Sequence, residues 1–600
     1  MATESFFSNA SLAYLASAGA GKDGKTYSIK PTDGSGDFTF SRGSNLAATR
    51  VGPTGLIEKG RENLLLQSNT FSNASWLKEL GTTLTSGQSG YDGSSDAWLL
   101  DTNGTQFSRL RQTLSSNGVQ TFSIYAKAGT LDWIGLYNGG ASGNAFFDLN
   151  NGVTGNSNAI IDTSITSVGN GWYRCEYSSN QSITDVRIYL TDANGTFTTT
   201  AGNIYIQSAQ LEIGLAATEV IESGATTGKA GLLEDEPRFD YSGGATCPSL
   251  LLEPSRTNLF GQSEYFGSGF WVKNDLNISI GFTSPDGLTN ASKLAATTSN
   301  SVHKMRASTI VTPAVGTTVT FSIYCKPQEI AKIALVDNWT NLTYSVVNLS
   351  TNSVIEEVFY TGTGSTAITE MANGFKRISF TYQTASINTQ PSVYLLDDSY
   401  TSGNPTSYTF ASDGSSGVIA YGAQLEQGSY PTSYIPNHSG TGSVTRGADD
   451  ELALTTAGTD GILNNYNTSV YIETKNIAAD NTLKRLVSLY ADNKAANPRV
   501  LLYAISTTIF LQYRVTGQSD VLISLSSVDL DAVNKFAIVL NDTNISLYHN
   551  GSLFQNTTIV KGLNFEEFYI AENRENGYSL NQVLIFPESL SQADAETLTT

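Results

Sequence analysis

The sequence predicts an all-β protein: tandem antiparallel jelly-roll β-sandwiches followed by a further sandwich, behind a small N-terminal segment. Three observations predict it. The composition, with 55 Gly among 600 residues, many Ser, Thr and Asn, and 10% aromatic residues, supplies turns and apolar mass together, as strand-rich chains require. Apolar residues recur with period two in runs such as "FSIYAKA" and "WIGLYNG", closed by Gly, Asn, Asp or Ser, and helical spacing is almost absent. Finally, landmarks recur in fixed order some two hundred positions apart. A chain of 600 residues is also too long for one core, and about 150 residues per domain gives roughly three to five units.

In chain order, residues 1–60 read as a separate attachment segment in which Phe6, Phe7, Leu12, Tyr14 and Leu15 make one or two helical turns before "GAGKDGK" breaks them. The duplication follows. "ENLLLQSNTFSNASW" (Glu62 to Trp76) parallels "TNLFGQSEYFGSGFW" (Thr257 to Trp271), "TFSIYAKA" (Thr121 to Ala128) parallels "TFSIYCKP" (Thr320 to Pro327), "NGWYRCEY" parallels "NGFKRISF", and "SAQLEIGLAATEVI" parallels "GAQLEQGSYPTSYI". The offset drifts only from 194 (Asp92 to Asp286) to 214 (Gln210 to Gln424), so insertions are loop-sized. A repeat of this length is a domain, not a solenoid unit, and short strands every 8 to 12 residues suit a jelly roll. The units are 61–222 and 256–445, joined by an ordered connector, 223–255. Residues 446–600 match neither copy. In "KFAIVLNDTNISLYHNGSLF" Phe536, Ile538 and Leu540 alternate, and Asn550-Gly551 is a hairpin signal, so another sandwich is expected. The chain ends in a strand stopped by Pro587 and a short helix capped by Ser591 with Asp594.

A net charge of −20 without a basic patch argues against nucleic acid. Cys175, Cys247 and Cys325 lack the spacing of a disulfide framework or zinc site. The start lacks the basic, apolar pattern of a signal peptide and no run of about 18 apolar residues follows, so no membrane insertion and synthesis as a soluble protein are expected.

"GDFTFSRGSNLAATRVGPTGLIE", "PRFDYSGGATCPSLLLEPSRTNL", "GAQLEQGSYPTSYIP" and "TRGADD" resemble connector phrases of tailed-bacteriophage virion proteins, especially tail-fibre and appendage proteins, those of crAss-like and marine phages among them. The two "FSIY…NGWYR…AQLE" units resemble carbohydrate-binding-module jelly rolls, and "FAIVLNDTNISLYHNGSL" resembles a concanavalin A-like (laminin G-like) lectin sandwich. The resemblance covers nearly the whole chain. It implies a virion protein assembled in the host cytoplasm that joins other virion proteins through its N-terminal segment, displays glycan-binding modules to host-surface glycans, and forms a homo-oligomer, with a trimer favoured. Such jelly rolls often hold a structural calcium, but no EF-hand-like spacing identifies ligands, and no other cofactor is expected.

Sugar recognition needs aromatic faces together with amides or carboxylates. Trp133 and Tyr137 share a strand face by period two, with Asp132 and Asn138 nearby, and are the candidate platform; sheet packing or a subunit contact is the alternative. The second copy has Lys332 and Val336 there, its nearest aromatics being Trp339 and Tyr344. Trp172 with Arg174, and Phe375 with Arg377, are read as cation-π stitches within a sheet. Gln210 with Glu212, and Gln424 with Glu426, are read as a polar strand face. No paired-carboxylate pattern of a glycosidase appears. "LLEDEPRF" lies in the connector, the adjacent acids of "NFEEF" point to opposite faces, and His303, His438 and His549 are scattered without a GxSxG elbow. A non-enzymatic virion adhesin is therefore expected, with an architectural head-fibre, capsid-decorating or tail component as first alternative and a polysaccharide depolymerase as second.

Overall fold

The structure, a computed structural model, describes residues 2–600 except 20, 23, 44–45, 309, 313, 338–341, 459, 464–466, 492–493, 495–498, 563 and 573–576. The fold is all-β. Among the described residues α-helix is confined to Ala2–Asn9 and Gln592–Thr599. The second is capped as expected, Ser591 Oγ accepting from the Asp594 amide at 3.2 Å.

Each copy is a sandwich of two six-stranded antiparallel sheets. In the first, one sheet runs Asp162–Gly169, Trp172–Asn180, Val119–Ala128, Ala201–Ile213, Ala97–Asn103, Thr82–Gln88. The other runs Val153–Asn158, Asn144–Asp148, Trp133–Gly139, Ile183–Thr191, Arg109–Ser116, Leu77–Glu79. The second copy repeats this order strand for strand, with Thr318–Pro327 in the place of Val119–Ala128 and Lys332–Asp337 in that of Trp133–Gly139. Phe122, Ile124 and Ala126 enter the core between the sheets. Ser123 and Tyr125 on the opposite face are buried too, so this strand is covered on both sides where one was expected to face water. Both copies break register at the same place, between Ser123 and Tyr125 and between Ser322 and Tyr324. The partner strand there adopts positive φ at Ser208 and at Gly422, a bulge for which glycine is the unstrained occupant.

The duplicated phrases are clamps. Asn63 Nδ2 donates to the Ala209 and Ile221 carbonyls, and its Oδ1 accepts from the Leu65 and Leu211 amides. Asn258 does the same with Ile435, Phe260 and Leu425. Glu212 accepts from the Thr218 amide and hydroxyl at 2.8 and 2.6 Å, and Gln210 from the Ile221 amide at 2.7 Å. Glu426 and Gln424 repeat this with Thr432 and Ile435. All four side chains are buried, which corrects their reading as a polar strand face. They tie down the segment that follows the last long strand.

The C-terminal sandwich is built from three distant stretches. Its eight-stranded sheet includes Leu12–Leu15, Phe239–Asp240 and Ser249–Leu252, and its six-stranded sheet starts at Leu452–Leu454. Along the Tyr578–Phe586 strand, Thr468–Lys475 fills one edge. On the other edge, connector residues Leu250–Leu252 pair with Tyr578–Leu580, and Leu12–Leu15 pair with Gln582–Ile585. Leu12, Tyr14, Phe38, Phe40, Phe239, Leu250 and Leu252 belong to the same core as Ile538 and Leu547. The expected separate head and the boundary at 446 are thereby corrected. Leu12, Tyr14 and Leu15 form a strand, not a helical turn, because an unpaired sheet edge offers the backbone a ladder. The N-terminal segment is thus a structural part of the last module instead of a separate head.

A buried charge cluster fastens the modules at this junction. Arg238 pairs with Glu253 at 2.6 Å and with Asp449, Arg42 with Asp449 at 3.3 Å, and Arg446 with Glu253 at 3.4 Å. The Ser433 amide and hydroxyl also donate to Glu253. These residues lie in "FSRGSN", "PRFDY", "LLEPSRTN" and "TRGADD", the connector phrases themselves. Burial works against ionisation of Glu253, but Arg446, Arg238 and the Ser433 hydroxyl outweigh it and hold the carboxyl at about 2. A second cluster joins the jelly rolls: Lys59 pairs with Glu264 at 2.9 Å and Asp286 at 3.1 Å, and Tyr421 and Tyr434 donate to Glu264. His438, 3.7 Å from Glu264, is pushed down to about 4 by burial, and its carbonyl accepts from the Val119 amide of the first copy.

Candidate functional site

Trp133 and Tyr137 do share the outer face of the Trp133–Gly139 strand, with Ile134 and Leu136 in the core. Around Tyr137 the face is an aromatic cluster. Its ring meets Tyr189 and Phe197 edge-on at 6.1 and 5.8 Å, Phe197 lies against Phe146 at 4.9 Å and Tyr189 at 4.4 Å, and the Arg187 guanidinium sits 4.9 Å above Tyr137. Arg187 is fixed by Asp185 at 2.6 Å. Phe197 comes from the loop before Ala201–Ile213 and was not foreseen. The signal was available: one aromatic in the polar stretch "TDANGTFTTT" gains nothing unless it folds back onto the sheet.

The cluster leaves an open depression of about 410 Å³ over the edge strands. Half-buried Phe197 forms its apolar floor, backed by the buried Phe146; Asn144, Asn156, Ser157 and Asn158 rim it. Asn144 and Asn158 oppose each other across the ladder. Each side-chain amide donates to the Ser142 carbonyl, at 3.3 and 3.4 Å, and makes no other hydrogen bond among the described residues. Asn156 and Asn194 are joined through amide contacts at 2.6 and 3.4 Å. Exposed amides beside an aromatic ring can bond sugar hydroxyls while the ring covers the apolar pyranose face.

The remaining expected residues fare differently. Asp132 is exposed at the strand's start. Asn138 is 1% exposed, bonded to Ser179 at 3.0 Å and to Tyr177, so it cannot meet a ligand; period two places it with Ile134 and Leu136. Tyr344 is 4% exposed and donates to Glu356 at 3.1 Å beneath the loop that follows Pro391–Leu396, so it offers no stacking surface. Trp339 lies outside the described residues. Arg174 and Arg377 lie 5.5 Å over Tyr125 and 5.4 Å over Tyr324, rings of the neighbouring strand, instead of pairing with Trp172 and Phe375.

In the second copy the equivalent face is sealed. Tyr344 and Val358 oppose each other where Asn144 and Asn158 stand. Ala334, Val336, Val346, Tyr394 and Leu396 pack under Tyr400. Lys332, in Trp133's place, holds the covering loop by the Asp398 and Tyr400 carbonyls, both at 2.8 Å, and Glu356 gathers the Tyr400 hydroxyl and the Gly403 amide.

Trp133 lies over Gly155, where an added Cβ would sit 2.6 Å from the indole and 2.3 Å from Asn194 Oδ1. Gly155→Ala is expected to displace both and cost about 1–3 kcal/mol, read in the denaturant midpoint and Trp fluorescence; an unchanged midpoint would show that the indole is not seated there.

The three histidines serve packing: His303 bonds the Asp275 and Phe410 carbonyls, His438 is buried beside Glu264, and His549 stacks on Phe536. Among the described residues no group of three or more carboxylate, thiol or imidazole side chains is placed to hold a metal ion, and no helix is long and apolar enough to cross a membrane. Cys175 and Cys325 are buried and Cys247 is exposed.

No family model and no curated protein matches the chain. Among solved structures it is similar to the Ruminococcus gnavus IT-sialidase CBM40 bound to alpha2,3 sialyllactose, at 13% identity over 23% of this chain and 84% of that one, TM-score 0.20. It is also similar to the botulinum neurotoxin serotype D binding domain, at 16% identity over 25% of this chain and 40% of that one, TM-score 0.21, and to the serotype G binding domain, at 12% identity over 26% and 42%, TM-score 0.20.

Proposed function

We propose that the chain is a non-catalytic, glycan-binding structural protein of a bacteriophage virion, displayed on a tail fibre or similar appendage to hold the host surface. The observation that carries the glycan reading is the contrast between the two copies of one fold. The first keeps an open depression with an aromatic floor and an amide rim, whereas the second fills the same face with apolar side chains and a tied-down loop. On this reading the outer sheet face of the first jelly roll is the open contact surface, and the same face of the second jelly roll is closed by packing. A shallow, exposed site gives weak single contacts, and repetition on an oligomeric appendage would turn these into useful avidity. The connector phrases and their resemblance to virion proteins support the assignment to a phage particle.

The test has two arms. Antibody to the chain should label an appendage in purified virions, and the isolated protein should compete with virions for adsorption to host cells. Absence from the particle would overturn the virion reading. Labelling without competition would favour a purely architectural role.

A further inference from the structure

The sheet face of the second jelly roll that carries Tyr324 and Arg377 looks across a cleft of about 710 Å³ at the C-terminal sandwich, a volume within the roughly 300–1,000 Å³ of small-ligand sites. Thr369, Ser379 and Tyr430 share its near wall, and Asn476 stands on the far one. This cleft is separate from the amide-rimmed depression of the first copy.

Arg377 is the group that its surroundings leave unmatched. Its counterpart Arg174 forms an ion pair with Glu176, Nε to Oε1 at 3.0 Å. Ser379 occupies the position of Glu176, since Ser322 pairs with Ser379 as Ser123 pairs with Glu176. Arg377 keeps the ring contact with Tyr324 and donates to the Ser322 hydroxyl at 3.0 Å; the Nε of both arginines is buried without a hydrogen bond, but where Arg174 has the Glu176 carboxylate beside it, Arg377 makes no ion pair among the described residues. The Tyr430 hydroxyl is likewise buried without a hydrogen bond. The acids next to Arg377's wall are engaged, Glu426 with Gln424 and Thr432, Glu253 with Arg238 and Arg446, and Asp240 with the Val51 and Ser242 amides, while Asp531 is an exposed carboxylate of the lining. An unmet buried donor is a standing cost to stability, and a carboxylate from a ligand would remove it by a charge-assisted bond.

We propose that this cleft binds an acidic saccharide unit, of the hexuronic-acid kind. Its carboxylate takes the place beside Arg377 that Glu176 holds in the first copy, its hydroxyls meet Ser379, Thr369 and Asn476, and Tyr430 borders its ring.

The test is calorimetric titration of the full chain with digalacturonic acid, with neutral cellobiose and acetate as comparisons. Digalacturonic acid should bind at least about tenfold more tightly than either. Ser379→Glu, which rebuilds the ion pair of the first copy, should weaken that binding by about tenfold or more while the unfolding midpoint holds or rises. Arg377→Gln should weaken it equally, and Asn144→Ala with Asn158→Ala in the first copy should leave it unchanged. The proposal is overturned if digalacturonic acid does not bind at millimolar concentration, if cellobiose binds as well, or if folded Ser379→Glu or Arg377→Gln protein binds like the parent. Should Ser379→Glu fail to fold, Arg377→Gln decides.

Discussion

Replacing Asp449 with alanine is expected to lower the stability of the chain by about 3–5 kcal/mol, the cost of breaking a buried ion pair from one side. The carboxylate serves Arg42 and Arg238 at once and accepts from the Glu253 amide at 2.8 Å. Its removal takes the shared carboxylate from two guanidinium groups that are fully buried in the junction. The urea midpoint should fall accordingly, and a loss below about 1 kcal/mol would mean that water reaches the cluster. The same junction sets the acid response. Glu253 titrates at about 2 in the folded chain against 4.5 when free, so its contribution is complete above pH 4.5 and drains away as pH falls toward 2. His438 reinforces this from higher pH: burial depresses it from 6.5 to about 4, so the unfolded chain takes up its proton first and stability falls between pH 6.5 and 4. Both signs predict acid lability, and His438→Gln should flatten the upper part of the curve.

Tyr14→Ala is expected to cost a further about 3–5 kcal/mol, and deletion of residues 1–16 more than either. The Tyr14 ring is fully buried edge-on to Phe38 at 5.6 Å, with its hydroxyl 3.0 Å from Thr26. Its strand covers half the edge of Tyr578–Phe586. Without residues 1–16, Val583 to Ile585 present an apolar, unpaired edge, a template for aggregation. The measurement is unfolding and light scattering of the deletion variant beside Tyr14→Ala. A deletion variant as soluble and stable as the parent would mean that the last module closes without its N-terminal strand.

Local pattern was legible where local physics decides it. Period two placed Phe122, Ile124, Ile134 and Leu136 inward, and "ESLSQAD" marked the last helix. Pairing between distant segments was not, because Leu12–Leu15 and Ser249–Leu252 are ordinary short apolar runs whose partner lies hundreds of residues away, and nothing in their composition names it. Burial on a second face was also hidden. Tyr125, Gln210 and Glu426 alternate as surface residues do, yet other segments cover them: Tyr91 stacks on Tyr125, and Thr218 to Ile221 and Thr432 close over Gln210 and Glu426. Near the candidate site period two put Trp133 and Tyr137 on one strand face, but neither lines the depression, and Asn138, expected nearby, is buried. This pattern gave no view of Phe197 or of the amide pair Asn144–Asn158, which become one surface only through the ladder.

The most direct test is a glycan array run with three proteins: the parent chain, a variant carrying Asn144→Ala and Asn158→Ala, and a variant carrying Tyr400→Ala in the covering loop of the second copy. The account predicts that the parent binds a defined set of glycans free of uronic acid, that the asparagine variant loses these by about tenfold or more with its unfolding midpoint unchanged, and that Tyr400→Ala retains them. A parent that binds no such glycan, or an asparagine variant that binds them as the parent does, would contradict it.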